Sequence, residues 1–289
     1  MQKYSNTKIR LFKNDLLYFG VCFFAAVVAI PLLAILGEVF IKGWQQLGWA
    51  FLTEPTPNAY KAMMAANAGE PIPGGIANGI VGTFLMLFFA ALVAIPVGIL
   101  CGIALSEHRK NKFSVVISYM TDLLQGTPSI IIGIVTYIWI VVPMKGYSAW
   151  AGSIALLIMM LPIIVRSTEE TMNVLPTTLK EAGLALGASD WRVMLKVLLP
   201  SAMGSIATGI LLSISRVAGE TAPLMFTALG GMAISWNMGK PMSAVPLLIW
   251  DFFNDPNLQD LIWGASLFLL IFVLCLNLLA KRIAKKWKI

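Results

Sequence analysis

Six long apolar segments determine the fold class of this 289-residue chain. Each is long enough, at about 17 residues or more, for a helix to cross the hydrocarbon core of a bilayer. The segments are Leu16–Ile41, Ile76–Leu105, Ser114–Val142, Ala149–Val165, Ser201–Leu229 and Leu258–Ala280. Only 12% of the residues are charged, about half the fraction usual in soluble domains. The sequence therefore predicts an all-α integral membrane protein with six transmembrane helices, forming a single domain over residues 1–289.

Lysine and arginine residues alternate between the predicted connections. Sixteen of them lie at the N-terminus, in the second and fourth connections and at the C-terminus, whereas the other three connections hold four. Loops rich in these residues stay on the cytoplasmic side of the membrane. Both termini and the fourth connection are therefore predicted to be cytoplasmic. The net charge of +7 is therefore explained by loops beside the membrane. We expect the lipid bilayer as a partner and no nucleic acid.

The chain carries no residue set from which a catalytic or metal centre can be built. Its single histidine, His108, lies in a short basic loop, and its three cysteines lie in apolar segments, where they pack as small hydrophobic residues. The glycine-rich loop that cradles phosphates in ATPases is missing from the sequence. We therefore expect no enzyme, no metal and no cofactor in this chain, so any ATP chemistry must come from a partner.

The fourth connection contains the run Glu181 to Gly187, with Pro200 thirteen residues further on. Residues 179–186 favour a helix, and Gly187 is a suitable left-handed stop for it. Ser189 or Asp190 can cap a second helix that runs towards Pro200. The pattern predicts two helices that meet at a bend.

This loop resembles the EAA loop of the permeases of ATP-binding-cassette (ABC) importers, which reads E-A-A, three residues, G, nine residues, I-x-L-P. The positions in register are Glu181, Ala182, Gly187, Val197, Leu199 and Pro200, with Gly183 in place of an alanine and Val197 in place of the isoleucine. The resemblance implies a type I ABC importer permease fold, with a core at about 76–280 and a coupling loop at 166–200. It also implies that the loop docks into a separate cytoplasmic ATPase, which binds ATP and Mg. An ordinary helical hairpin between two spans is the alternative.

Arg216 and Glu220 are candidates for a substrate pathway. Arg216 lies sixteen residues beyond Pro200, which is about 24 Å along a helix, and Glu220 follows one turn later on the same face. An ionisable residue at this depth costs roughly 2.5–3.5 kcal/mol, so it needs a partner or a function. The planar fork of an arginine fits a tetrahedral oxyanion. A structural salt bridge between helices is the alternative.

Arg166 and Glu169 are a second candidate pair, at the inner end of the fourth apolar segment. Spacings of three and four residues place Glu169 and Glu170 on the helix face of Arg166. The alternative for Arg166 is a cytoplasmic anchor of the helix, and the two acids can be solvated or paired with it. Asp122 is a further polar residue inside an apolar segment, and the sequence assigns it no role.

Two longer segments, from Leu161 to Glu170 and from Arg216 to Pro223, resemble the PstA family of phosphate-importer permeases. Phe51–Pro55, Gly74–Ile76 with Gly82-Thr83, and Gly126–Ile130 are also similar to that family, so the resemblance extends over nearly the whole chain. It implies a permease of the bacterial inner membrane that forms half of the pore of an ATP-driven phosphate importer. The implied partners are a PstC-like second permease, two copies of a PstB-like ATPase and a PstS-like phosphate-binding protein.

Other functions remain as alternatives at this point. A permease for sulfate or molybdate would keep the loop at Glu181 but differ around Arg216. An ion-coupled secondary transporter would use Arg216 and Glu220 as a gate or proton relay and would need no ATPase. A membrane enzyme would require a catalytic constellation that the sequence does not offer.

Overall fold

The computed structural model describes residues 7–70 and 72–286, without the side chains of residues 7–9 and 66. The described residues form twelve helices, numbered here in chain order. They are α1 (Thr7–Trp44), α2 (Trp49–Thr53), α3 (Ala59–Ala68), α4 (Ala77–Glu107), α5 (Lys112–Gly126), α6 (Ser129–Met144), α7 (Ala149–Val174), α8 (Thr177–Ala185), α9 (Asp190–Val217), α10 (Ala222–Thr227), α11 (Val245–Asn254) and α12 (Leu261–Lys286). Lys3 and Lys288, two of the basic residues that predict the orientation, lie outside the described residues.

Five of these helices, α1, α4, α7, α9 and α12, are long and apolar enough to cross a membrane. Helices α5 and α6 are long and apolar enough only as a pair, and they meet at an angle of 106°, so the described residues contain five spans, or six when this bent pair is counted as one. The apolar segment predicted at Ser114–Val142 is therefore divided between two helices, and not one continuous helix. Thr127 between the two helices is extended, with ψ of 130°, because the ring of Pro128 disfavours the helical conformation in the residue before it.

The predicted span Ser201–Leu229 also needs correction. Its helix begins earlier, at Asp190, and ends at Val217, and the short helix α10 follows after a break of four residues. Gly219 and Pro223 account for the break. Glycine weakens a helix, and Pro223 has no N–H to donate to the carbonyl four residues before it.

Helices α4 and α7 form the centre of the bundle. Gly98 on α4 lies against Ile164, and Gly102 lies against Thr168, so a Cβ at either glycine would come within 2.7 Å of these side chains. The two contacts advance together along both helices, so α4 and α7 run parallel. Small residues at such crossings let membrane helices approach closely.

Helix α1 touches the rest of the chain mainly at its C-terminal end. Gly43 there packs under the backbone of Trp263 and the side chain of Leu267 on α12. Most of the large apolar side chains in the rest of α1, between Leu11 and Ile41, are exposed in the single chain. Such a surface requires a bilayer or a partner chain around it.

Polar contacts join the segments at the end of the bundle where α4 begins. Asn78 accepts hydrogen bonds from the backbone and hydroxyl of Thr56 at 3.1 and 3.0 Å, and its amide donates to the carbonyl of Gly231 at 2.7 Å. The hydroxyl of Thr83 accepts a hydrogen bond from the backbone N–H of Val245 at 2.9 Å. Three segments that are far apart in sequence are therefore held together at one end of α4.

Candidate substrate pathway and coupling loop

The break after α9 separates Arg216 from Glu220. Arg216 lies in the last turn of α9, whereas Glu220 follows the helix in a turn where its N–H donates to the carbonyl of Val217 at 3.1 Å. The prediction that both side chains share one face of one helix is therefore wrong. Gly219 and Pro223 are the sequence signals that predict an end to the helix here.

The packing of α9 and α10 against α7 places the break level with the middle of α7, a helix long and apolar enough to cross a membrane. A Cβ on Gly209 would lie 1.8 Å from the hydroxyl of Ser167, and a Cβ on Gly152 would lie 3.2 Å from Ala228. Arg216 is seven residues beyond Gly209, about 10 Å along α9. Its depth therefore lies between those of Ser167 and Gly152, in the middle part of α7.

The side chain of Arg216 is exposed on the surface of the single chain. Among the ion pairs of residues 10–70 and 72–286, none involves Arg216, and Glu220 is not within 4.0 Å of it. Non-helical backbone at membrane depth is tolerated only where protein covers it or where it lines a water-filled cavity. A charged arginine side chain at this depth also faces the interior of the protein or a water-filled cavity. We therefore expect the Arg216 side of the bundle to face protein or water and not lipid.

Arg166 on α7 has several partners within the chain. Its Nε donates to Asp122 on α5 at 2.8 Å, its Nη1 donates to Glu169 at 2.7 Å, and its Nη2 donates to the carbonyl of Ser118 at 3.1 Å and is also paired with Asp122. Of the two alternatives for the acids, Glu169 is paired with Arg166, whereas Glu170 is in none of the ion pairs of the described residues. An anion would have to compete with two carboxylates for this guanidinium.

Asp122 is the residue whose role the sequence left unassigned. Its carboxylate holds α5 against α7 through Arg166, which is 44 residues further along the chain. Ser118, one turn earlier on α5, contributes only its backbone carbonyl to this contact. Only the packing of α5 on α7 identifies Arg166 as the partner of Asp122.

The bend predicted at Gly187 is present. Its φ is +80°, in the left-handed region that favours glycine. Its N–H donates to the carbonyl of Leu184 at 2.9 Å, and the N–H of Ala188 donates to Gly183 at 3.3 Å. These two bonds are the Schellman pattern that ends a helix, so α8 stops here for the reason that the sequence indicates.

Gly183 and Val193 hold the two arms of the loop together. A Cβ on Gly183 would lie 2.8 Å from a methyl group of Val193, so the two arms are in close contact at the bend. Ser189 is the residue before α9, as predicted, but neither it nor Asp190 caps the helix through a side-chain hydrogen bond. Helix α9 passes through Pro200 without interruption, after a π-helical turn at Met194–Leu198.

Lys180 connects the loop to the membrane bundle. Its ammonium group is paired with Glu107, the last residue of α4, and lies 4.0 Å from Asp190. Glu181 and Ala182 lie beside it on α8. Lys180 and Glu107 are 73 residues apart, and no sequence signal links them.

Comparisons with known proteins agree with this architecture. Residues 94–288 match the family described as the inner membrane component of binding-protein-dependent transport systems. The chain is 34% identical over 272 residues to the phosphate transport system permease protein PstA of Haemophilus influenzae, covering 93% of each. It is 38% identical over 250 residues to PstA of Pasteurella multocida, covering 86% of this chain and 85% of the relative.

The fold is also found in a solved structure. A chain of a bacterial alginate ABC transporter, in complex with an alginate pentasaccharide-bound periplasmic protein, superposes with a TM-score of 0.66. The match covers 96% of both chains at 11% sequence identity. The described residues therefore have the all-helical fold of type I ABC importer permeases.

Proposed function

Because this chain belongs to the family of binding-protein-dependent inner-membrane permeases, and within it to the PstA phosphate permeases, we propose that it forms half of the pore of an ATP-driven phosphate importer. The similarity to PstA of Haemophilus influenzae over 93% of the chain carries this proposal. The protein is a multi-pass protein of the bacterial inner membrane, and its relatives are permease components of transporters rather than catalytic subunits.

Arg216 is the residue that we propose to face the phosphate pathway. It is exposed at membrane depth, next to a four-residue break in the helix, and its guanidinium is free of ion pairs within the described part of the chain. A guanidinium donates two parallel hydrogen bonds to an oxyanion and stays charged. Glu220, inside the break, keeps the local charge low enough for phosphate to leave.

Arg166 and Glu169 are proposed to act nearer the cytoplasmic end of the pathway. Arg166 donates hydrogen bonds to Asp122 and Glu169, so its main role in this conformation is to hold α5 in place. A transported anion would meet it when α5 moves away from α7.

The exposure of the Arg216 side chain supports the proposal that a second permease covers it. Lipid cannot cover a charged side chain at this depth without a large free-energy cost. A PstC-like subunit packed against the end of α9 would enclose Arg216 between the two permeases. The pore then lies at their interface.

The loop from α8 to the start of α9 supports a cytoplasmic ATPase as the next partner. The exposed α8, with Glu181 and Ala182, ends in the bend at Gly187 and is braced against α4 through Lys180 and Glu107. A movement of α8 would therefore be passed to α4 and α7. We propose that a dimer of PstB-like ATPases, which bind ATP and Mg, drives this movement, and that a PstS-like protein delivers phosphate at the opposite end of the bundle.

Reconstitution of the complete importer in liposomes tests this function. Radiolabelled phosphate should accumulate only when both ATP and the phosphate-binding protein are present, and ionophores that collapse ion gradients should not stop it. Uptake of sulfate or molybdate in place of phosphate would favour another oxyanion. Uptake without ATP that the ionophores abolish would instead show an ion-coupled secondary transporter.

A further inference from the structure

The C-terminal end of α12 carries a groove in which apolar and cationic residues meet. The groove has a volume of about 510 Å³ and is lined by Cys275, Leu278, Leu279, Lys281, Arg282 and Lys285. All six side chains are exposed in the single chain. Spacings of three and four residues place most of them on one face of the helix, with the apolar members towards the membrane and the cationic members beyond them.

The three cations of this groove have no acidic partner on their own helix. Leu261–Lys286 contains neither aspartate nor glutamate, and none of the ion pairs among the described residues involves Lys281, Arg282 or Lys285. Their charge is therefore available to an anion. An occupant that fits the whole groove needs a negative head beside these residues and an apolar part along Leu278 and Leu279.

We propose that this groove binds an anionic phospholipid of the cytoplasmic leaflet. Its phosphate group would lie beside Arg282 and Lys285, and its acyl chain would follow Leu278 and Leu279. Basic clusters that directly follow a membrane span attract anionic lipids, and each cation near the surface contributes roughly a fivefold factor in binding. The proposal is independent of the transported substrate, because the site lies at the end of α12, away from the helix break at Arg216.

Native mass spectrometry of the purified importer complex tests the lipid site. Phosphatidylglycerol and cardiolipin should remain bound at least tenfold more than phosphatidylethanolamine. The triple variant Lys281→Gln, Arg282→Gln, Lys285→Gln should lose this retention by about tenfold to a hundredfold. The control variant Arg109→Gln, Lys110→Gln, Lys112→Gln removes three charges from another basic loop and should retain the lipid. Equal loss in both triple variants, or no preference in the wild type, would overturn the proposal.

A second measurement uses the wild-type complex, so it does not depend on assembly of a variant. A photoactivatable anionic phospholipid should form adducts that map to the peptide 275–286. Adducts confined to peptides from other basic segments, with none in residues 275–286, would overturn the proposal. Displacement of the lipid by millimolar inorganic phosphate would assign the cations to free phosphate instead.

Discussion

The guanidinium of Arg166 on α7 and the carboxylate of Asp122 on α5 are joined by two contacts, one of them an Nε–Oδ1 hydrogen bond of 2.8 Å. This pair fixes the position of α5, the first half of the bent span, against the central helix. Glu169 holds the same guanidinium from the next turn of α7 at 2.7 Å. A residue predicted from sequence to meet the substrate is thus also a cross-link between two helices.

A double-mutant cycle measures the strength of that cross-link. We expect Asp122→Asn and Arg166→Gln to show a coupling free energy of about 0.2–1 kcal/mol in the thermal stability of the complex, because the Asp122 side chain is 55% exposed and solvent screens the pair. Asp122→Asn combined with Lys42→Gln, which removes a cation at the far end of α1, is the control and should be additive. Additive effects for Asp122 and Arg166 as well would show that the contact does not hold α5.

Gly187→Val should uncouple ATP hydrolysis from transport while the complex still assembles. A non-glycine residue in the left-handed conformation costs about 1–2 kcal/mol, and asparagine tolerates it better than a branched residue. Binding-protein-stimulated ATPase activity should therefore fall in the order wild type, Gly187→Asn, Gly187→Val. Gly146→Val is the matched control, because Gly146 has open space around it and no positive φ. Wild-type stimulation in Gly187→Val would show that the bend is not needed for coupling.

The orientation of the coupling loop is testable by labelling. With the three native cysteines replaced by alanine, Ser189→Cys should react with a membrane-impermeant reagent only from the cytoplasmic side, and the ATPase should shield it. Asn237→Cys, in the connection that follows α10, should react only from outside. Labelling of Ser189→Cys in intact cells would reverse the predicted topology.

Arg216→Gln should abolish phosphate uptake without preventing assembly, because the substitution keeps hydrogen-bond donors but removes the charge. Arg216→Lys should restore only part of the uptake, since a point charge cannot form the bidentate contact. Lys240→Gln removes a charge in the connection after α10 and should transport normally. Glu220→Gln should not rescue Arg216→Gln, because no ion pair joins these two residues among those described. Normal uptake by Arg216→Gln would remove Arg216 from the pathway.

Gly82→Ala should destabilise the protein by roughly 1–3 kcal/mol. An added Cβ would lie 1.9 Å from the carbonyl oxygen of Ser243, a backbone atom that cannot turn away. Gly37→Ala in α1 meets no atom within 4 Å and should be neutral or slightly stabilising, since alanine favours a helix. Thermal unfolding of the purified complex compares the two variants. Equal stability would contradict the close contact between α4 and the segment before α11.

The bend at Gly187 and the five long apolar helices could be predicted from the sequence because both depend on local properties. The length of an apolar segment decides whether a helix can cross the membrane. Gly187 ends α8 through its own backbone conformation, with hydrogen bonds to residues within five positions. The end of α9 at Val217 also has local causes in Gly219 and Pro223. The continuous hydrophobicity of Ser201–Leu229 nevertheless predicts a single long span there.

The sequence by itself determined the membrane fold, the bend of the coupling loop and the candidate charges, since each follows from neighbouring residues. Only the tertiary structure decided which of those charges are already paired. Arg166 is held by Asp122 from another helix, and Lys180 by Glu107, while Arg216 is exposed at the depth of the helix break. Pairing across 44 or 73 residues depends on how the helices pack, and helix periodicity along one segment carries no information about it.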